Sequence, residues 1–291
     1  MINFHTHTKL CDGKNTAEEM VLAAIEKGFS VLGFSAHSVH PLDPEFYSPF
    51  DSIWSMKKAD FPSYAAEINR LKEKYASKIK IMLGFEADYF ESEKIGLALP
   101  DKNAYAEFKP DFLIGSVHFI NTPGGFYTVD NKPEAVKQAL EKFYTDAKTG
   151  RIDGKAAICD YFEAERAMLS KGNFDILGHP DLIRVRNGAL NFFDETESWY
   201  KEQIAETAKA VAKSGVIVEI NTGAITRKVM DDVYPSEAFI ELLHSYKVPV
   251  CINSDAHTTE MLDGAYDRAR AAAKKAGYKE LIYPGNYVEK L

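Results

Sequence analysis

The chain has few cysteines, no tract of basic residues and no long apolar run, and each of these shortages excludes something. Three cysteines, Cys11, Cys159 and Cys251, are scattered along 291 residues. An odd, dispersed set argues against a disulfide framework and fits a reducing compartment. No stretch approaches the ~20 apolar residues of a membrane span, and no basic segment leads into an apolar one near Met1. The expectation is a cytoplasmic protein with no membrane partner. Lys and Arg number 35 against 43 Asp and Glu, a formal net charge of −8. Without a basic patch, a nucleic-acid partner is not expected, although a pocket for a small anion is still open. Bound cations would neutralise part of the acidic surplus. With 45% hydrophobic and 27% charged residues the chain should fold. No linker separates halves of different composition, so a single domain over 1–291 is expected.

What is present is a succession of apolar runs, most followed by helical periodicity. The runs are INFH (2–5), VLGFSAHS (31–38), KIMLGFEAD (80–88), DFLIGSVHF (111–119), FDILGHPD (174–181), VIVEINTG (216–223) and VPVCINSDAH (248–257). Helices are expected near 16–27, 61–76, 133–149, 154–171, 194–214, 235–246 and 259–277, the first capped by Asn15 or Thr16 with Glu18 and Glu19 in its opening turn. Strands that are near-continuous Val, Ile, Leu and Phe suit a parallel sheet covered by helices. The order fits an α/β fold, a distorted, TIM-like (β/α)7 barrel, with an open doubly wound sheet as the alternative. Segments 39–60 and 91–110 read as irregular loops.

Chemistry gathers at the ends of these runs. His5 and His7 follow the first, His37 the second, Glu86 and Asp88 the third, His118 the fourth, His179 and Asp181 the fifth, Asp255 and His257 the seventh. Six of the eight histidines stand there. In a (β/α) barrel all strand C-termini share one rim, where catalytic groups collect. Taken singly, each has an ordinary explanation: a hydrogen-bonded core histidine, a capping glutamate. Six strand ends would need six such explanations. Imidazole with carboxylate suits Zn, Mn or Fe, and cations relieve the repulsion between crowded carboxylates. Strand alternation puts His5 and His7 on one face, within reach of one ion.

FHTHT (4–8), SAH (35–37), GFEAD (84–88), GSVHF (115–119), GHPD (178–181) and NSDAH (253–257) resemble, in order and across nearly the whole chain, the motifs of the polymerase and histidinol phosphatase (PHP) superfamily. Within it the set is most similar to the histidinol-phosphate phosphatase branch of histidine biosynthesis. The resemblance implies a distorted (β/α)7 barrel with the metal site at the C-terminal rim and up to three divalent ions. It implies His5, His7, Glu86 and Asp255 on the first ion, Glu86 bridging to a second held by His118 and His179, and Asp12, His37 and His257 on the third. Asp12 stands where some relatives carry histidine, which bears on the strength and metal preference of that position.

The chemistry implied is hydrolysis of a small phosphomonoester, L-histidinol phosphate in the branch concerned, by metal-activated water, with the ions also neutralising the phosphate. Asp255 or His257 is the candidate acid–base group. Candidate phosphate ligands are Arg227, past the sixth strand, Arg166 in YFEAERAM, Arg184 after GHPD, and His40 in AHSVH. Asp88 and Asp181 are expected to orient ligand histidines, while Cys11 and His244 are read as packing residues. Alternatives are another PHP phosphoesterase, acting on nucleotides or cyclic phosphates, or a non-catalytic PHP accessory domain. Native metal, exact substrate and oligomeric state are not legible.

Overall fold

The computed structural model describes residues 1–39 and 54–291. Seven parallel strands follow one another in chain order around a barrel: β1 (Ile2–Asn3), β2 (Val31–Ser38), β3 (Lys80–Asp88), β4 (Phe112–Ser116), β5 (Ile176–Leu177), β6 (Ile217–Asn221) and β7 (Val250–Asn253). The expected strands are all there, and the open-sheet alternative fails at the last edge. His7 N–H donates to Ala256 O at 2.9 Å and Ala256 N–H to His5 O at 3.1 Å, which joins the chain after β7 to the chain after β1. Two buried asparagines reinforce this seam. Asn3 Nδ2 donates to Ser254 Oγ and Asn3 Oδ1 accepts from Ser254 N–H, while Asn253 Oδ1 accepts from Phe4 N–H at 2.8 Å. The barrel is distorted because β1 and β5 are each only two residues long.

The expected helices form as α1 (Ala17–Glu26), α2 (Phe61–Lys74), α3 (Pro133–Tyr144), α4 (Gly154–Lys171), α5 (Ser198–Ser214), α6 (Glu237–Ser245) and α7 (Tyr266–Ala276). Thr16 caps α1. Its hydroxyl accepts from Glu19 N–H while Glu19 returns its carboxylate to Thr16 N–H, a capping box that contributes about 1 kcal/mol. Ala17, Met20, Val21 and Ala24, at helical spacing, form the buried face of α1. Among the described residues no helix is long and apolar enough to cross a membrane.

Three antiparallel hairpins were not anticipated: Phe90–Ser92 with Gly96–Ala98, Phe119–Thr122 with Gly125–Thr128, and Glu280–Tyr283 with Tyr287–Lys290. Their strands are three or four residues long, too short for alternation to stand out, and only their turn residues mark them. Gly125 has φ 135°, and Gly285 and Asn286 have φ 79° and 63°.

Side chains of alternate residues fill the barrel. Phe112 lies across its interior, edge-on to Phe4 at 4.8 Å between ring centres. Gly33 and Gly84 on the adjacent strands leave room for that ring, and a Cβ at Gly84 would come within 2.4 Å of it. Two residues farther along β3 from Gly84, on the same face, stands Glu86. The packed floor therefore supports the rim chemistry directly. Gly84→Ala is expected to cost about 1–3 kcal/mol by overpacking, measured by chemical denaturation, and shortening the ring in the double variant with Phe112→Leu should restore part of the loss.

Candidate metal centre

The nine side chains expected as ligands converge on the C-terminal rim. Glu86, fully buried, lies at the centre. Its Oε2 is 2.8 Å from His37 Nδ1, 3.1 Å from His5 Nε2 and 3.5 Å from His7 Nε2. Its Oε1 is 2.8 Å from His179 Nε2 and 3.5 Å from His118 Nε2. Asp255 Oδ1 lies 3.1 Å from His7 Nε2 and 3.6 Å from His5 Nε2. Asp12, whose side chain is about one-third exposed, places Oδ2 3.1 Å from His257 Nε2 and Oδ1 3.7 Å from His37 Nε2. His40 lies outside the described residues.

The donor set fits divalent cations. Ligating atoms fall into four overlapping groups within 4.8 Å: His7, Asp12, His37 and His257; His5, His7 and Asp255; His5, Glu86 and His179; His37, Glu86 and His118. His5 Nε2, His7 Nε2, His37 Nδ1 and Glu86 Oε2 are buried, yet among the described residues none makes a hydrogen bond. Short separations without hydrogen-bond angles arise where lone pairs aim at common points. Tetrahedral bonds of 2.0–2.1 Å separate their donor atoms by about 3.3 Å, close to the distances here. Burial would raise the Glu86 carboxyl, but His37, His5 and His118 reverse that and hold it well below the usual range. Burial is likewise overcome at Asp255, chiefly by Arg227 and His5. His7 is lowered to about 3 by burial, helped by His257 and His37. Burial is overcome at His5 and His37, which the carboxylates around them raise instead, so that a cation binding there would displace protons from these imidazoles.

A further layer fixes the imidazoles. Both oxygens of Glu219, on β6, face His5 Nδ1 at 3.1 and 2.9 Å, so that Nε2 points to the cluster. Glu219 also accepts from His179 N–H at 2.7 Å, Asn221 Nδ2 at 2.7 Å and Asn253 Nδ2 at 2.9 Å. The sequence reading missed this residue. Its signal was the lone acid inside the apolar run VIVEIN, two residues before the end of β6, the place that Glu86 holds in β3. Asp88 behaves as expected and holds His118 Nδ1 at 2.6 Å. With Glu86 it outweighs burial and raises His118 to about 10. Cys11 does more than pack. Burial, with the charge of Asp12, pushes its thiol up to about 12. The protonated thiol donates to Thr8 O and presents sulfur to His7 Nδ1 at 3.6 Å.

Other expected contacts are not made. Asp181 touches no histidine. Its backbone is left-handed (φ 63°), and its carboxylate accepts from Ser236 N–H at 2.8 Å. Arg166 does not reach the cluster: it sits on α4 facing α5, bonded to Thr207 Oγ1 and Gln203 Oε1 at 3.0 Å each. Arg184 is buried and committed to Asp232, Glu195 and the Val233 carbonyl. It belongs to a 3₁₀ turn over Leu182–Arg186, in which residues three apart share a face. Leu182 and Val185 therefore face the cleft, together with Arg186, and Arg184 does not. Arg186, two residues beyond the expected one, was missed. Of the expected arginines, Arg227 alone reaches the site, with Nη2 3.0 Å from Asp255 Oδ2 and Nη1 donating to Asp255 O. His244 lies apart, against the Tyr278 ring.

Above the cluster opens a cleft of about 340 Å³, walled by Trp54, Asp130, Lys132, Arg186, Arg227 and Tyr234 among others. Its size suits a small molecule. A parallel barrel carrying an imidazole–carboxylate cluster at the floor of such a cleft has the architecture of a metal-dependent hydrolase. The chain belongs to the PHP domain family, whose pattern it matches over residues 3–223. It is 27% identical to a protein of Schizosaccharomyces pombe provisionally named histidinol-phosphatase, covering 96% of this chain and 88% of that one. A solved structure from Listeria monocytogenes, also provisionally named a histidinol phosphatase, superposes with a TM-score of 0.79 at 25% identity, covering 92% of this chain and 99% of that one. The histidinol phosphate phosphatase of Lactococcus lactis, solved with zinc, L-histidinol and phosphate, has the same fold: TM-score 0.66, 19% identity, coverage 99% and 98%.

Glu219→Gln would set an amide N–H₂ against donors and lose the charge that holds His5. It is expected to weaken metal binding about 10- to 100-fold, measured by competition with a chromophoric chelator.

Proposed function

We propose that this protein hydrolyses L-histidinol phosphate to L-histidinol and phosphate, a step of histidine biosynthesis, using up to three divalent ions of zinc, manganese or iron. The observation that carries this reading is the convergence of nine ligand side chains beneath a small-molecule cleft, in a PHP barrel similar over nearly its full length to proteins bearing the histidinol-phosphatase name. The Lactococcus lactis structure, with its zinc, L-histidinol and phosphate, supports the same substrate class.

His5, His7, Glu86 and Asp255 would hold one ion, Glu86, His118 and His179 a second, and Asp12, His37 and His257 a third. The two faces of the Glu86 carboxylate support its bridging role. Bound there, the ions would supply a water of lowered pKa and neutralise the phosphate charge. The chain's own residues do the rest. Asp255, kept ionised by Arg227, acts as an anchor rather than an acid. His257, with Nδ1 on the Asp255 carbonyl at 2.9 Å and Nε2 facing Asp12, is placed to carry a proton to the departing alkoxide only where the third position holds no ion, and otherwise serves as a ligand. Arg227 lines the cleft beside Asp255, where its fork can meet phosphate oxygens. Trp54 and Tyr234 supply aromatic surface to the cleft wall. We take residues 1–291 as one domain, since the sheet draws on strands from Ile2 to Asn253, and place it in the cytoplasm in keeping with three unpaired cysteines.

A panel of phosphomonoesters assayed with zinc, manganese or iron tests this reading. The highest kcat/KM is expected with L-histidinol phosphate, and a preference for a nucleotide or sugar phosphate would refute it. Arg227→Ala should lower kcat/KM about 10- to 1000-fold, through loss of charged hydrogen bonds to the phosphate.

A further inference from the structure

One acidic side chain of the cleft has no part in the roles assigned above. Asp130 follows the Phe119–Thr122/Gly125–Thr128 hairpin and lines the cleft that also holds Asp12, His37, His118, His179, Asp255 and His257. Its Oδ1 is buried and, among the described residues, makes no hydrogen bond. Three cations share the cleft wall, but among the described residues none satisfies it: Arg227 is bonded to Asp255. Arg186 uses Nε and Nη2 on the backbone carbonyls of Asn131 and Asp130 itself, and among the described residues Lys132 makes no ion pair with the Asp130 carboxylate. The carboxylate nevertheless lies within electrostatic reach of His118 on the metal side and of Arg227 and Tyr234 on the phosphate side.

A carboxylate oxygen shielded from water without a donor is costly unless a cation arrives to complete it. The substrate class proposed above carries such a cation at a fixed place. In a phosphate ester of a 2-amino alcohol, the ammonium stands on the carbon next to the ester carbon, a few bonds from phosphorus. With phosphate on the floor beside Arg227, that ammonium falls near the wall between His118 and Arg227. We propose that Asp130 binds the ammonium group of the substrate and makes the enzyme selective for phosphate esters of 2-amino alcohols. The inference rests on the phosphomonoesterase reading. The same carboxylate would repel a second anion there, so O-phospho-L-serine, which adds a carboxylate beside its ammonium, is a poor substrate.

The test compares wild type with Asp130→Asn and Asp130→Glu on three substrates: L-histidinol phosphate, its analogue lacking only the amino group, and p-nitrophenyl phosphate. Bound metal is measured on each protein. Asp130→Asn is expected to lower kcat/KM for L-histidinol phosphate about 10- to 100-fold, mainly through KM, the loss of one charged hydrogen bond. It should leave the other two substrates within about twofold and the metal content unchanged. Asp130→Glu, which keeps the charge, should recover part of the loss. Equal losses on all three substrates, a loss of metal, or no change with L-histidinol phosphate would overturn the assignment. Should wild type prefer some other ester to L-histidinol phosphate, the function proposed above fails by itself. The role of Asp130 is then decided by O-phosphoethanolamine against ethyl phosphate, which differ only in the ammonium: Asp130→Asn must abolish a wild-type preference for the former, and the absence of such a preference refutes it.

Discussion

Glu86 is buried among five imidazoles, with one oxygen turned to His5, His7 and His37 and the other to His118 and His179. A carboxylate in that position is costly unless positive charge surrounds it, and the histidines alone are an incomplete answer, since His7 stays neutral. The geometry makes sense around cations, since both oxygens of Glu86 belong to groups of donors that could hold one. The arrangement of the rest of the rim follows. Glu219 and Asp88 stand behind the imidazoles and aim them inward, Arg227 holds Asp255 ionised, and Cys11 meets the outward nitrogen of His7.

The same constraint reaches down into the barrel. Glu86 is two residues above Gly84, whose missing side chain admits the Phe112 ring. A shift of β3 by one residue would both drive a side chain into that ring and turn Glu86 away from the cluster. Packing and chemistry therefore select one register, and the apolar layer beneath the rim positions the ligands without touching them.

The convergence of the candidate ligands was legible because a parallel barrel turns sequence position into spatial position: each apolar run ends at the rim, so each His, Asp or Glu at or near its end is a candidate. His5, His37, Glu86, His118, His179 and Asp255 could all be found by that rule. Other groups were lost. Glu219 lies as far inside its strand as Glu86 does, but it acts from behind, on His5 and His179. Arg184 and Arg186 differ only in which side of a 3₁₀ turn they occupy, which depends on a local geometry that spacing from the GHPD motif does not reveal. Arg166 was credited by resemblance alone, and its helix directs it to α5. The short hairpins escaped because three or four residues carry little periodicity, although one of them leads directly into Asp130.

The seam between β1 and β7 has a consequence for the order of events in the chain's life. Hydrogen bonds there join residues 249 and 251 positions apart, and His5 and His7 lie on one lip with Asp255 and His257 on the other. During synthesis the first ligands emerge early and wait for nearly the whole chain before their partners exist. Contacts so distant in sequence carry a large loop-closure cost. Among the described strands this is the one joint of the barrel that neighbours in sequence do not make, so its two lips can meet only once residues near 253 have been synthesised.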